Sequence, residues 1–90
     1  MTMQEIRPIH PGEHLAEFLD EFGISQYRLA KDINVDPRRI HAIVNGERGI
    51  TADTALRLSR YFTMSVEYWM NLQDRYEIEL ARAELGDRLE

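Results

Sequence analysis

Arg38, His41 and Asn45 recur at intervals of three and four in the run PRRIHAIVNG, residues 37–46. On a helix that spacing places all three side chains on one face. An outward face of Arg, His and Asn suits the major groove of DNA, because arginine can fork onto guanine and asparagine can pair with adenine. These three are the candidates for reading base edges. Arg39 falls at the edge of the same face, where a phosphate contact is expected. Gln26 and Tyr27, which open the preceding segment, and Arg48, just past the run, are further candidates for holding the DNA backbone. The plain alternative is a helical hairpin whose polar face is only solvated.

A second constellation points elsewhere. His10-Pro-Gly-Glu-His14 matches H-x-x-E-H, an inverted zinc-peptidase signature. That chemistry needs both histidines on one face of a continuous helix, the glutamate as general base and a further carboxylate ligand. Pro11 and Gly12 put His10 at or before the helix start, so the match reads as chance and neither metal nor cofactor is expected. The chain also shows no nucleophile–base pairing and no glycine-rich phosphate cradle. Its carboxylates lie on the outer faces of amphipathic helices, and an enzyme is not expected.

The elements that must position the Arg–His–Asn face span residues 25–46, from Ser25 to Gly46. Ser25 is a good N-cap, and Leu29, Ala30 and Ile33 share one side of the helix it opens. Asn34 tolerates left-handed backbone angles, so that helix can stop there. Asp36-Pro37 is a cap followed by proline at the first helical position, where its missing N–H costs nothing. Ile40, Ile43 and Val44 form the apolar stripe of the second helix, and Gly46 stands where a C-terminal glycine belongs. Ala30 supplies the small residue that two closely crossing helices need, and Val35 the apolar residue of the turn. This is a helix-turn-helix pattern.

Around it, the ninety residues are expected to form a single all-α domain. Residues 1–9 lack periodicity and read as an N-terminal arm. A helix opening near Pro11 carries Leu15, Phe18, Leu19 and Phe22 inward and ends at Gly23; its outer face holds Glu13, Glu17, Asp20 and Glu21. Thr51 caps a fourth helix through Phe62, with Ala55, Leu58, Ser59 and Phe62 inward, Leu56 beside them, and Arg57 and Arg60 solvated. Ser65 caps a fifth, in which Val66, Trp69, Met70, Gln73 and Tyr76 keep helical spacing. Trp69 is assigned to the core. Large apolar residues continue through Ile78, Leu80 and Leu85, more than a unit of this size needs. Residues 74–90 are therefore expected to be a helical tail and a homodimer seam, through Tyr76 and Leu80; the alternative is a tail folded back over the core.

Charge is partitioned along the chain. The overall balance is -5, yet residues 25–60 carry seven Lys and Arg against four acids, a net +3. The flanks, residues 1–24 and 61–90, each carry net -4. A basic middle places nucleic acid on the central segment, while acidic flanks oppose DNA and suit a basic protein partner. The first helix's acidic face is the leading docking candidate for that partner, and Glu77, Glu79, Glu84 and Asp87 of the tail are the second. No cysteine, long apolar run or signal-like start is present, so a soluble, cytoplasmic protein is expected.

From His10 to Gln73 the chain resembles the HigA-type antitoxins of bacterial toxin–antitoxin pairs, within the lambda-repressor-like helix-turn-helix group. The resemblance is carried by HPGEHL (His10 to Leu15), the helix-turn-helix, NGERGIT (Asn45 to Thr51), ALRLSRYF (Ala55 to Phe62) and SVEYWMNLQ (Ser65 to Gln73). It implies a five-helix fold and a repressor dimer that binds its own operon's promoter. It further implies neutralisation of a small basic HigB-type toxin, a ribosome-dependent mRNA endonuclease. No toxin-binding residue carries over by motif. A stand-alone regulator of the same fold would share every DNA-facing residue.

Overall fold

The computed structural model describes residues 7–86. Five helices follow one another: α1 Pro11–Phe22, α2 Gln26–Ile33, α3 Pro37–Val44, α4 Ala52–Phe62 and α5 Val66–Leu85. Each begins on a side chain that accepts from a backbone N–H of the first turn: His10, Ser25, Asp36, Thr51 and Ser65. Such caps satisfy donors that a helix start otherwise leaves orphaned. Termination is equally local. Gly23 and Asn34 adopt left-handed angles, at φ 65° and 61°, and return their N–H groups to the preceding turn.

α2 packs on α3, α4 on α5, and α1 on both α3 and α5. Leu15, Leu29, Ala30, Ile40, Ile43, Ala55, Leu58 and Trp69 are fully buried between them. Trp69 meets both Phe18 and Tyr68 edge-on, with ring centroids 5.4 and 5.1 Å away. The Trp69 assignment to the core therefore holds. Two other expectations do not. Phe22 is 55% exposed, because α1 ends there and only the Phe62 and Phe18 rings reach it, and Leu56 is 45% exposed on the open side of α4.

The glycine of the HPGE run has a packing role. A Cβ on Gly12 would overlap the Ile43 carbonyl oxygen, so only glycine lets the start of α1 lie against the end of α3. His10 is buried beside this junction, and its ring meets Tyr76 of α5 edge-on at 4.8 Å. The helical tail expected from residue 74 continues α5 directly through Leu85, and the alternative of a tail folded back over the core is not adopted. α5 runs unbroken for 20 residues and projects from the bundle, stretching the molecule to 48 × 22 × 22 Å.

Candidate nucleic-acid interface

α3 owes its orientation to the turn before it and the loop after it. Asp36 accepts from the Arg38 N–H at 2.8 Å, and Val35 donates its N–H back to Ala30 at 2.9 Å. At the far end Gly46, at φ 78°, lets the Glu47 N–H reach the Ala42 carbonyl at 2.8 Å. Ile40 and Ile43 then lie fully buried, which turns Arg38, His41 and Asn45 to the surface.

These exposed side chains are linked across two helices. The His41 ring contacts Gln26 Oε1 through Nδ1 at 3.3 Å and Asn45 Nδ2 through Nε2 at 2.8 Å. An amide oxygen only accepts, so this arrangement suits the tautomer with its proton on Nδ1 and Nε2 accepting from Asn45. Gln26 of α2, expected at the DNA backbone, is thereby brought to the base-reading candidates of α3. Tyr27, 67% exposed, stands beside it at the start of α2. Arg48 is exposed in the loop after α3.

The two arginines of α3 differ. Arg38 pairs with Asp36 at 2.9 Å, its side chain 91% exposed. That contact and the Arg38 N–H hold the Asp36 carboxyl below its usual range. Arg39 turns instead to α4, where its Nη1 donates to Asp53 Oδ2 at 2.9 Å; only 26% of its side chain is exposed. The same Asp53 oxygen accepts from Arg57 Nε at 3.0 Å, and the two guanidinium groups, Arg57 first, hold that carboxyl below its usual range. Arg57 was expected to be solvated. It donates to the Ile33 carbonyl at 2.7 Å and approaches that of Asn34 at 3.4 Å, where the end of α2 needs donors.

Glu17, Asp20 and Glu21 are exposed along α1, and Glu17 and Asp20 line one hollow with Ser25 and Gln26. Glu13 is half-buried and paired with Arg7 at 2.7 Å, so its charge is already compensated. Among the expected seam residues, Tyr76 is half-buried against His10, whereas Leu80, with Ile78 and Leu85, is exposed on α5. Asp87 of the tail lies outside the described residues. The H-x-x-E-H match has a structural explanation: His10 Nδ1 accepts from the Gly12 N–H at 2.8 Å and is engaged as a cap. Among the described residues, no group of three or more His, Cys, Asp and Glu could hold a metal ion. Nor is any described helix long and apolar enough to cross a membrane.

Gln73 falls on the inner stripe of α5, as its helical spacing predicts, but its polar partners are not legible in the sequence. It is buried on α5, its Oε1 accepts from the Ile50 N–H at 2.7 Å, and its Nε2 donates to Glu77 at 2.7 Å. A Cβ on Gly49 would sit 2.8 Å from that amide. The NGERGIT and SVEYWMNLQ blocks prove to be two halves of one contact.

The helix-turn-helix family matches residues 15–69. A HigA-family addiction-module antidote protein from Coxiella burnetii superposes with a TM-score of 0.90 at 48% identity, over 93% of this chain and 92% of that one. The antitoxin HigA of Pseudomonas aeruginosa, solved with the higBA promoter, gives 0.89 at 49% identity over the same shares. Virulence-associated protein I of Dichelobacter nodosus is 50% identical over 78 residues, 86% of this chain and 72% of that protein. With a family match over more than half of the chain and solved relatives at 48–49% identity over more than nine-tenths of both chains, this chain belongs to the helix-turn-helix proteins of the HigA antitoxin family.

Proposed function

We propose that this chain is a DNA-binding antitoxin that represses its own operon and neutralises a small basic mRNA-endonuclease toxin. The observation that carries the DNA half is the outward face of α3, where Arg38, His41 and Asn45 stand exposed and linked to Gln26. A relative of 49% identity was solved with promoter DNA, which supports the same use here. Arg38, His41 and Asn45 read base edges; Gln26, Tyr27 and Arg48 hold phosphates. Two copies joined in a symmetric dimer would set two α3 helices about 34–36 Å apart, one turn of DNA.

The toxin half rests on charge and on family membership. A ribonuclease must attract an anionic polymer, so a basic surface suits it, and an acidic face complements that surface and speeds encounter. Glu17, Asp20 and Glu21 of α1 form that face, with Glu13 at its edge beside Arg7.

One experiment addresses each half. Arg38→Ala and His41→Ala should each weaken binding to the operon's promoter by ~1–3 kcal/mol and relax selectivity. Unchanged affinity and selectivity in both would remove the assigned face. Co-expression with the neighbouring small basic protein should relieve its growth arrest, and Glu17→Lys with Asp20→Lys and Glu21→Lys should abolish that relief while promoter binding persists. If nothing basic co-purifies and no neighbour is toxic, the chain acts as a regulator alone.

A further inference from the structure

Both arginines at the start of α3 are paired with acids, but in unlike ways. The Arg38–Asp36 pair is open to water on both sides, with side chains 91% and 51% exposed, and such pairs exchange partners readily. Arg39 is enclosed. Its Nη1 meets Asp53 Oδ2 at 2.9 Å and Thr54 Oγ1 at 3.4 Å, both on the first turn of α4. Asp53 is held in turn: Arg57 donates to the same oxygen at 3.0 Å and is itself anchored on the Ile33 carbonyl. The N-terminus of α4 adds a favourable field for the carboxylate. One acid thus ties the start of α3, the start of α4 and the end of α2 together.

We infer that Asp53 is a specificity-determining residue, which withholds the Arg39 guanidinium from the DNA backbone and leaves base contacts to decide binding. The inference rests on the DNA-binding reading above. Its physical basis is the sequence-independence of phosphate contacts. Each cation that neutralises a phosphate raises affinity for every duplex alike and steepens the salt dependence by about 0.9 in log K against log salt. Arg38 pairs with Asp36, and His41 with Gln26 and Asn45, whereas Asp53 is engaged by Arg39 and Arg57, so base reading is left intact. With Arg39 held back, affinity for random DNA stays low and the ratio of operator to random binding stays high.

The test uses the full chain, a random-sequence duplex and a duplex carrying the operon's promoter, titrated over a range of salt. Asp53→Asn should raise random-duplex affinity severalfold, steepen its salt slope by about 0.9 and lower the promoter-to-random ratio. Arg39→Gln alone should leave the random-duplex slope at the wild-type value, since that side chain touches no phosphate. In the Arg39→Gln background, Asp53→Asn should no longer steepen the slope. Steepening that persists there would assign the effect to Arg57 or to the lost negative charge, and would overturn the inference. So would a wild-type slope in Asp53→Asn, or a flattened one in Arg39→Gln. A wild-type chain that binds neither duplex overturns the DNA-binding reading itself.

Discussion

Gln73 Oε1 accepts the Ile50 backbone N–H at 2.7 Å, joining the middle of α5 to the loop that leaves α3. The two residues are 7% and 2% exposed, so water cannot replace the bond. Gln73→Leu keeps the volume close but leaves the Ile50 N–H without its acceptor. A buried donor left unpaired costs ~1–3 kcal/mol. Melting should fall by roughly 4–8 °C per kcal/mol in a domain of this size. Thermal denaturation followed by circular dichroism reads this directly, and an unshifted midpoint would show that the bond contributes nothing net.

Gly12 gives the second prediction. Its Cα–H faces the Ile43 carbonyl oxygen, and any Cβ would overlap that atom. Because backbone cannot rotate aside as a side chain can, Gly12→Ala should force α1 away from α3 at a cost of about 1–3 kcal/mol or more. Gly86→Ala is the control, since nothing lies within 4 Å of a Cβ there. Urea titrations of both should separate; equal midpoints would mean that the junction accommodates a methyl group.

The third prediction concerns acid. Burial holds the His10 imidazole below its ordinary value of 6.5, outweighing the nearby Glu13 charge and the Arg48 carbonyl. The unfolded chain therefore binds that proton more readily than the folded one, and stability rises with pH. The contribution is complete above about 6.5 and is lost as pH falls toward the lower folded value. Protonation also removes the Nδ1 acceptor that caps α1. His10→Asn keeps a capping oxygen and removes the titration. Its melting temperature should depend less on pH below 6.5 than that of the wild type. Parallel curves would exclude His10 as the titrating group.

Assembly supplies the fourth. Ile78, Leu80 and Leu85 are 53%, 38% and 43% exposed on the projecting part of α5. Ile78→Asp with Leu80→Asp should leave helical content unchanged, give a monomer in sedimentation and weaken promoter binding. A double variant that still sediments as a dimer would move the seam off α5. Tyr76 is a poorer choice for this experiment, because its ring already packs on His10 within one chain.

Much of the fold was legible in the sequence because its signals are short-range. Ser25, Asn34, Asp36-Pro37 and Gly46 act within one turn of themselves, so their residue types state where helices begin and end. Periodicity then gives the direction each face points, which is why the outward placement of Arg38, His41 and Asn45 is legible in the sequence. Periodicity does not say whether a neighbouring element extends far enough to cover a face. Phe22 and Leu56 lie at helical spacing with buried residues and still reach solvent. Tertiary structure alone decided the partners of the polar side chains. Arg39 meets Asp53 across 14 residues, Ile50 meets Gln73 across 23 and Arg57 meets Ile33 across 24. An arginine at the edge of a helix reads the same in sequence whether phosphate or carboxylate receives it. α2 packs on both α3 and α4 and so brings an acid of α4 within 2.9 Å of Arg39; that placement is set by the shared core of Ile40, Ile43 and Leu58, not by any local pattern.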